Sequence, residues 1–64
     1  MLIETNSRRI TQRLQREGWV LKEGSKHSIF KHPDRPAVRI VVPRHREVSF
    51  GVAASIARLA GWEV

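Results

Sequence analysis

A chain of 64 residues without a single cysteine has few routes to stability. A domain this short buries only about 60% of the surface its unfolded form exposes. No disulfide and no thiolate-bound metal can staple it. Stability must come from one compact core that uses nearly every apolar residue, with or without help from a partner. The 41% of hydrophobic residues against 28% charged is the balance of a folded soluble domain rather than a disordered tail. The chain reads as a single domain over 1–64. No apolar run approaches the roughly 20 residues that span a bilayer. Met1-Leu2-Ile3-Glu4 lacks the basic and apolar regions of a signal peptide. A cytoplasmic protein without a membrane partner is the expectation.

Charge narrows the choice of partner. Twelve lysines and arginines stand against six acids, a net charge of +6. Such a domain attracts polyanions, and counterion release favours nucleic acid whatever its sequence. An acidic protein is the other kind of partner this charge suits.

Local signals divide the chain cleanly. Asn6 or Ser7 is a suitable helix cap, because its side-chain oxygen can accept a bond from a first-turn N–H. From there to Glu17, Ile10 and Leu14 share one face while Arg8, Gln12 and Gln15 point away, and Gly18 ends the helix. Trp19–Lys22 reads as a strand and Glu23–Lys26 as a turn. His27–His32 is a second strand, closed by Pro33-Asp34-Arg35-Pro36, and Ala37–Val42 a third, bounded by Pro43. Arg44 to Val48 is a basic loop. Ser49 then caps a helix over Phe50–Ala60, with Gly61 after it. Its apolar side is Val52, Ala53, Ile56, Ala57 and Ala60, with Leu59 beside them, and the alanines let it lie flat on a sheet. The fold class predicted is α+β, in the order α-β-β-β-α, with a three-stranded antiparallel sheet and two helices on one face.

Strand parity assigns the faces. With Phe30 inward, Ser28 and His32 share its side, and His27, Ile29 and Lys31 face out. Val38, Ile40 and Val42 face in, as do Trp19 and Leu21. The open face then carries Lys22, His27, Lys31 and Arg39 among Val20, Ile29 and Val41. A face both basic and apolar suits RNA or a protein.

Gly24-Ser25-Lys26-His27 is the segment equipped for chemistry. A glycine turn can aim backbone N–H groups at an anion, and Lys26 adds a charge beside them. Imidazole exchanges protons near neutral pH, so His27 can accept the proton of a ribose 2′-hydroxyl as it attacks the adjacent phosphorus. Lys22, Lys26, Lys31, Arg39, Arg44 and Arg46 are the candidate cations for the RNA phosphates, with Gly24 and Ser25 as the backbone cradle. This chemistry needs neither metal nor cofactor. It also spares DNA, which lacks the 2′-hydroxyl. Taken alone, a histidine at a strand start is more often an ordinary surface residue, and most Gly-Ser turns are only turns. His32 falls on the opposite face from His27, which separates them and argues against a three-histidine metal centre. His45, in the basic loop, suits phosphate positioning. Trp19 and Trp62 each follow a helix-ending glycine and suit core or rim packing better than base stacking.

Asn6-Ser7-Arg8, Glu17-Gly18-Trp19, Gly24-Ser25-Lys26-His27, Phe30-Lys31-His32-Pro33, Val42-Pro43, Ile56-Ala57 and Ala60-Gly61-Trp62 occur in an order that resembles the HicA toxins over nearly the whole chain. Lys26 departs from relatives in which the histidine directly follows Gly-Ser, and Ser49 stands where proline is common. The resemblance implies a double-stranded-RNA-binding-domain-like fold. It implies a metal-independent endoribonuclease acting on mRNA, an mRNA interferase, whose glycine-turn histidine maps onto His27. It also implies a HicB-type antitoxin that blocks the active site within a hetero-oligomer. A non-catalytic RNA-binding module, or a basic domain docking an acidic protein, would share the same residue pattern.

Overall fold

The computed structural model describes residues 3–23 and 27–62. Helix α1 (Ser7–Arg16) leads into strands β1 (Val20–Glu23), β2 (His27–His32) and β3 (Arg35–Pro43), and helix α2 (Phe50–Ala60) closes the order. The sheet is antiparallel with β2 central. The α-β-β-β-α order follows from the local signals above, and so does the meander.

The helix ends show why. Asn6, not Ser7, caps α1, its side-chain oxygen accepting from the Arg9 amide at 3.0 Å. The Ser7 hydroxyl instead donates to the His45 carbonyl. Ser49 caps α2 by accepting from the Val52 amide at 3.2 Å, and Gly61 ends it at φ 81°. Gly18 sits at φ 97° just beyond α1.

Ile10 and Leu14 of α1, Phe30, Ile40 and Val42 of the sheet, and Ala53, Ile56 and Ala60 of α2 form one core. Both helices therefore cover the same face of the sheet. Among the described residues no polar or charged side chain is buried, so the core is purely apolar and its stability scales with area removed from water.

Five boundaries differ from the sequence reading, one of them the end of β1, which runs on to Glu23. Glu17 is the C-cap of α1 rather than its last residue. β1 starts at Val20, one residue late, while Trp19 before it is buried at 4% exposure. β3 starts at Arg35 instead of Ala37 and runs on to Pro43. Pro36 and Pro43 looked like strand breakers, but β3 is an edge strand, where a missing N–H need cost no ladder bond. A register shift between Lys31 and His32 pairs His32 with Arg35, so the turn is confined to Pro33 and Asp34. Leu21 pairs with Phe30 and so lies on the inner face, yet on the edge strand β1 it remains 37% exposed.

A polar clamp joins the C-terminal end of α1 to Trp62, just beyond α2. The Glu17 carboxylate accepts from the Trp62 indole at 2.6 Å and from Arg13 at 3.1 Å, and the Arg13 guanidinium lies 4.3 Å over the Trp62 ring. Trp62 is thus a half-buried rim residue. Burial pushes the Glu17 carboxyl up. The Trp62 and Arg13 hydrogen bonds, with the charges of Arg13 and Arg16, outweigh that and hold it below its ordinary value. A depressed carboxyl stabilises the fold fully above the unfolded value of 4.5 and loses that contribution as pH falls through the folded one. Glu17→Gln is therefore expected to flatten the fall of melting temperature below pH 4.5, measured by circular dichroism.

His32 secures the other side of the clamp. Its Nε2 bonds the Glu17 carbonyl and its Nδ1 accepts from the Asp34 amide, both at 3.1 Å. Its ring meets Trp19 edge-on with centroids 5.1 Å apart. A Cβ on Gly18 would lie 2.9 Å from that pinned Nε2, at a φ that L-residues rarely adopt. Gly18→Ala should cost about 2 kcal/mol in urea unfolding. A neutral result would show that the joint is loose.

Candidate active site

The outer face of the sheet is laid out in cross-strand rows. Val20, Lys31 and Arg39 form one; Lys22, Ile29 and Val41 the next; His27 and Pro43 stand at the end. His27, Lys22, Lys31 and Arg39 are all exposed, as parity requires, and Ile29 is half-buried between them. Lys22 lies diagonally across from His27, about 7–8 Å away at the backbone. Lys31 and Arg39 lie four residues further along the strands, about 13 Å from His27. His32 faces the other way, into its bonds with Glu17 and Asp34, so the two histidines do not share a site. Gly24, Ser25 and Lys26 lie outside the described residues. Among those described, no group of three or more His, Cys, Asp or Glu side chains is placed to hold a metal ion.

A groove of about 470 Å³ opens beside the His27 end of the sheet. Ser28 and Val42, the row next to His27 and Pro43, form its floor on the inner face. Arg8, Thr11 and Gln12 of α1 make one wall, and Pro43, Arg44, His45 and Arg46 the other. Pro43 thus borders both the groove and His27. The loop is held against α1 from several points. Asn6 bridges to Glu47, the Ser7 amide donates to the Arg46 carbonyl at 3.0 Å, and the Val48 amide to the Thr5 carbonyl at 2.9 Å. Thr5 donates from its hydroxyl to the Glu47 carboxylate at 3.1 Å.

These contacts bring Arg44 and Arg46 to the groove at the His27 end of the sheet. They also recruit Arg8 and Gln12, which helix periodicity marked only as pointing away from the core. No local signal identifies them, because the pairing that seats the loop on α1 spans 41 residues (Asn6 to Glu47). Chemically, the arrangement sets a groove walled by three guanidinium groups, the His45 imidazole and neutral donors one residue row from His27, which stands outside the groove on the other face of the sheet.

The family model described as the HicA toxin of bacterial toxin–antitoxin systems matches residues 7–62, from the first residue of α1 to the rim tryptophan. The chain belongs to the HicA toxin family. It is, accordingly, the toxin component of a toxin–antitoxin pair, and an antitoxin is its implied partner. No curated protein matches it. As a HicA toxin it carries every matched element in the order described, with His27, the groove and the outer sheet face inside the matched span. No described helix is long and apolar enough to cross a membrane.

Proposed function

We propose that this HicA toxin is a metal-independent endoribonuclease that cuts mRNA, with His27 as its acid–base group. The observation that carries the reading is the position of His27: exposed, at the end of the sheet, one residue row from a groove lined by Arg8, Arg44 and Arg46. An RNA strand that runs from that groove past Pro43 to the outer face brings a ribose phosphate to the imidazole. His27 accepts the 2′-hydroxyl proton, O2′ bonds to phosphorus, and the P–O5′ bond breaks. The departing O5′ takes a proton from the imidazolium or from water. The products are a 2′,3′-cyclic phosphate and a 5′-hydroxyl.

The cations have distinct parts in this scheme. Lys22, diagonal to His27, and Arg44, next to Pro43, are nearest to the reacting phosphate and offset the charge developing on its oxygens. Arg46, Arg8 and His45 hold the strand along the groove. Lys31 and Arg39 meet phosphates further along the outer face. Gly24, Ser25 and Lys26 precede His27 in sequence and complete the anion cradle in this reading. A HicB-type antitoxin restrains the toxin by covering this surface in a hetero-oligomer.

The test uses purified toxin and mRNA in excess EDTA. The expected products are fragments ending in 2′,3′-cyclic phosphate. RNA that is bound in a salt-sensitive way but stays intact would make the domain a binding module and end the catalytic reading.

A further inference from the structure

The outer face holds a second concavity, at the far end of β2 from His27. It is a hollow of about 330 Å³ walled by Val20 of β1, Pro33 of the turn and Pro36 of β3, with Lys22, Lys31 and His32 around them. Val20 is 49% exposed, and both prolines are exposed as well. Arg39, paired with Lys31 on β3, lies outside this lining and borders a separate concavity with Val41 and α2.

Charge alone does not say which polyanion this hollow meets, since lysine tips serve phosphates and carboxylates alike. The walls do. Proline side chains offer no hydrogen bond. Both ring nitrogens of His32 are committed, to the Glu17 carbonyl and the Asp34 amide. The lining includes no Trp, Phe or Tyr on which a base could stack. A nucleotide would find phosphate contacts here but little to hold its base. A bulky apolar side chain would fill the hollow and remove Val20, Pro33 and Pro36 from water, the usual arrangement of an interface anchor ringed by charge.

We propose that this hollow is the anchor point for the antitoxin. It accepts a large apolar side chain from an acidic segment whose carboxylates meet Lys22 and Lys31. From His32 to His27 is five residues of strand, about 16 Å, so a short segment anchored here and lying along β2 reaches the catalytic end. Because it uses cations that also meet RNA, it excludes RNA without entering the groove. Only this last consequence rests on the ribonuclease reading; the anchor itself does not.

The experiment measures antitoxin affinity and RNA cleavage for the toxin and two Val20 variants, using the antitoxin encoded beside the toxin's own gene. Val20→Arg puts a cation in the apolar hollow. It is expected to weaken antitoxin binding at least 30-fold while cleavage stays within twofold, so more antitoxin is needed to stop it. Val20→Thr keeps the β-branched shape and should weaken binding about fivefold; it carries the test if Val20→Arg does not fold. Unchanged antitoxin affinity in the folded variants overturns the proposal. So does loss of RNA binding with antitoxin affinity intact, which would give the hollow to RNA. If the parent toxin cleaves nothing yet Val20→Arg still loses the antitoxin, the anchor stands and the ribonuclease reading falls.

Discussion

His27→Ala is expected to lower the rate of RNA cleavage by about 10²–10⁴-fold, the contribution of one positioned acid–base group. The fold should survive it, because His27 is exposed and stands outside the apolar core. RNA affinity should change little, since the proposed scheme assigns the phosphates to Lys22 and the groove arginines rather than to the imidazole. A variant that binds RNA normally but cuts it slowly therefore separates His27 from the cations around it. The complementary change, Arg44→Ala with Arg46→Ala, removes charge and should weaken RNA binding with a shallower salt dependence. If His27→Ala cleaves at the parent rate, the base lies elsewhere. Expression in bacteria gives the same contrast in living cells: growth arrest with the parent toxin, and none with His27→Ala.

The second large effect concerns stability. Phe30→Ala should destabilise the domain by about 3–5 kcal/mol. Phe30 is fully buried on the central strand, paired with Leu21 on one side and Ile40 on the other, within the core that both helices cover. Its loss leaves a cavity in the only core among the described residues. A chain of this length has total stability of only ~3–10 kcal/mol. With an m-value of about 1 kcal/mol/M, the urea midpoint should fall by about 3 M, or the cooperative transition should vanish. A loss under about 1 kcal/mol would mean that the helices repack around the gap.

The contrast between these variants reflects how the domain divides its residues. Inward side chains of β2 and β3 build the core, and the outward ones form an exposed face that carries His27, Lys31 and Arg39. That division was legible in the sequence because strand parity is strict and Phe30 fixes the phase. The helix ends were equally legible, since Asn6, Gly18, Ser49 and Gly61 act on backbone groups within a few residues of themselves. The start of β3 was not. Pro33-Asp34-Arg35-Pro36 carries turn chemistry throughout, and only the edge position of the strand makes Pro36 acceptable within it. The groove was also hidden. Arg8 meets Arg44, His45 and Arg46 only because the loop is bonded across α1 through Thr5, Asn6 and Ser7. The hollow is equally non-local, with Val20 and the two prolines drawn from three separate segments. Residue pattern alone left His27 a surface histidine; its place beside a basic groove, in a HicA toxin, makes it the candidate base.

The central claim is that a ribose 2′-hydroxyl, with its proton accepted by His27, is the attacking group. The most direct measurement compares two RNA oligonucleotides in EDTA: one containing a mapped cleavage site, and the same strand with a single 2′-deoxynucleotide immediately 5′ of the scissile phosphate. The expected result is cleavage of the first to a 2′,3′-cyclic phosphate and no cut at that position in the second. Cleavage of the deoxy-substituted strand at the same bond would contradict the account.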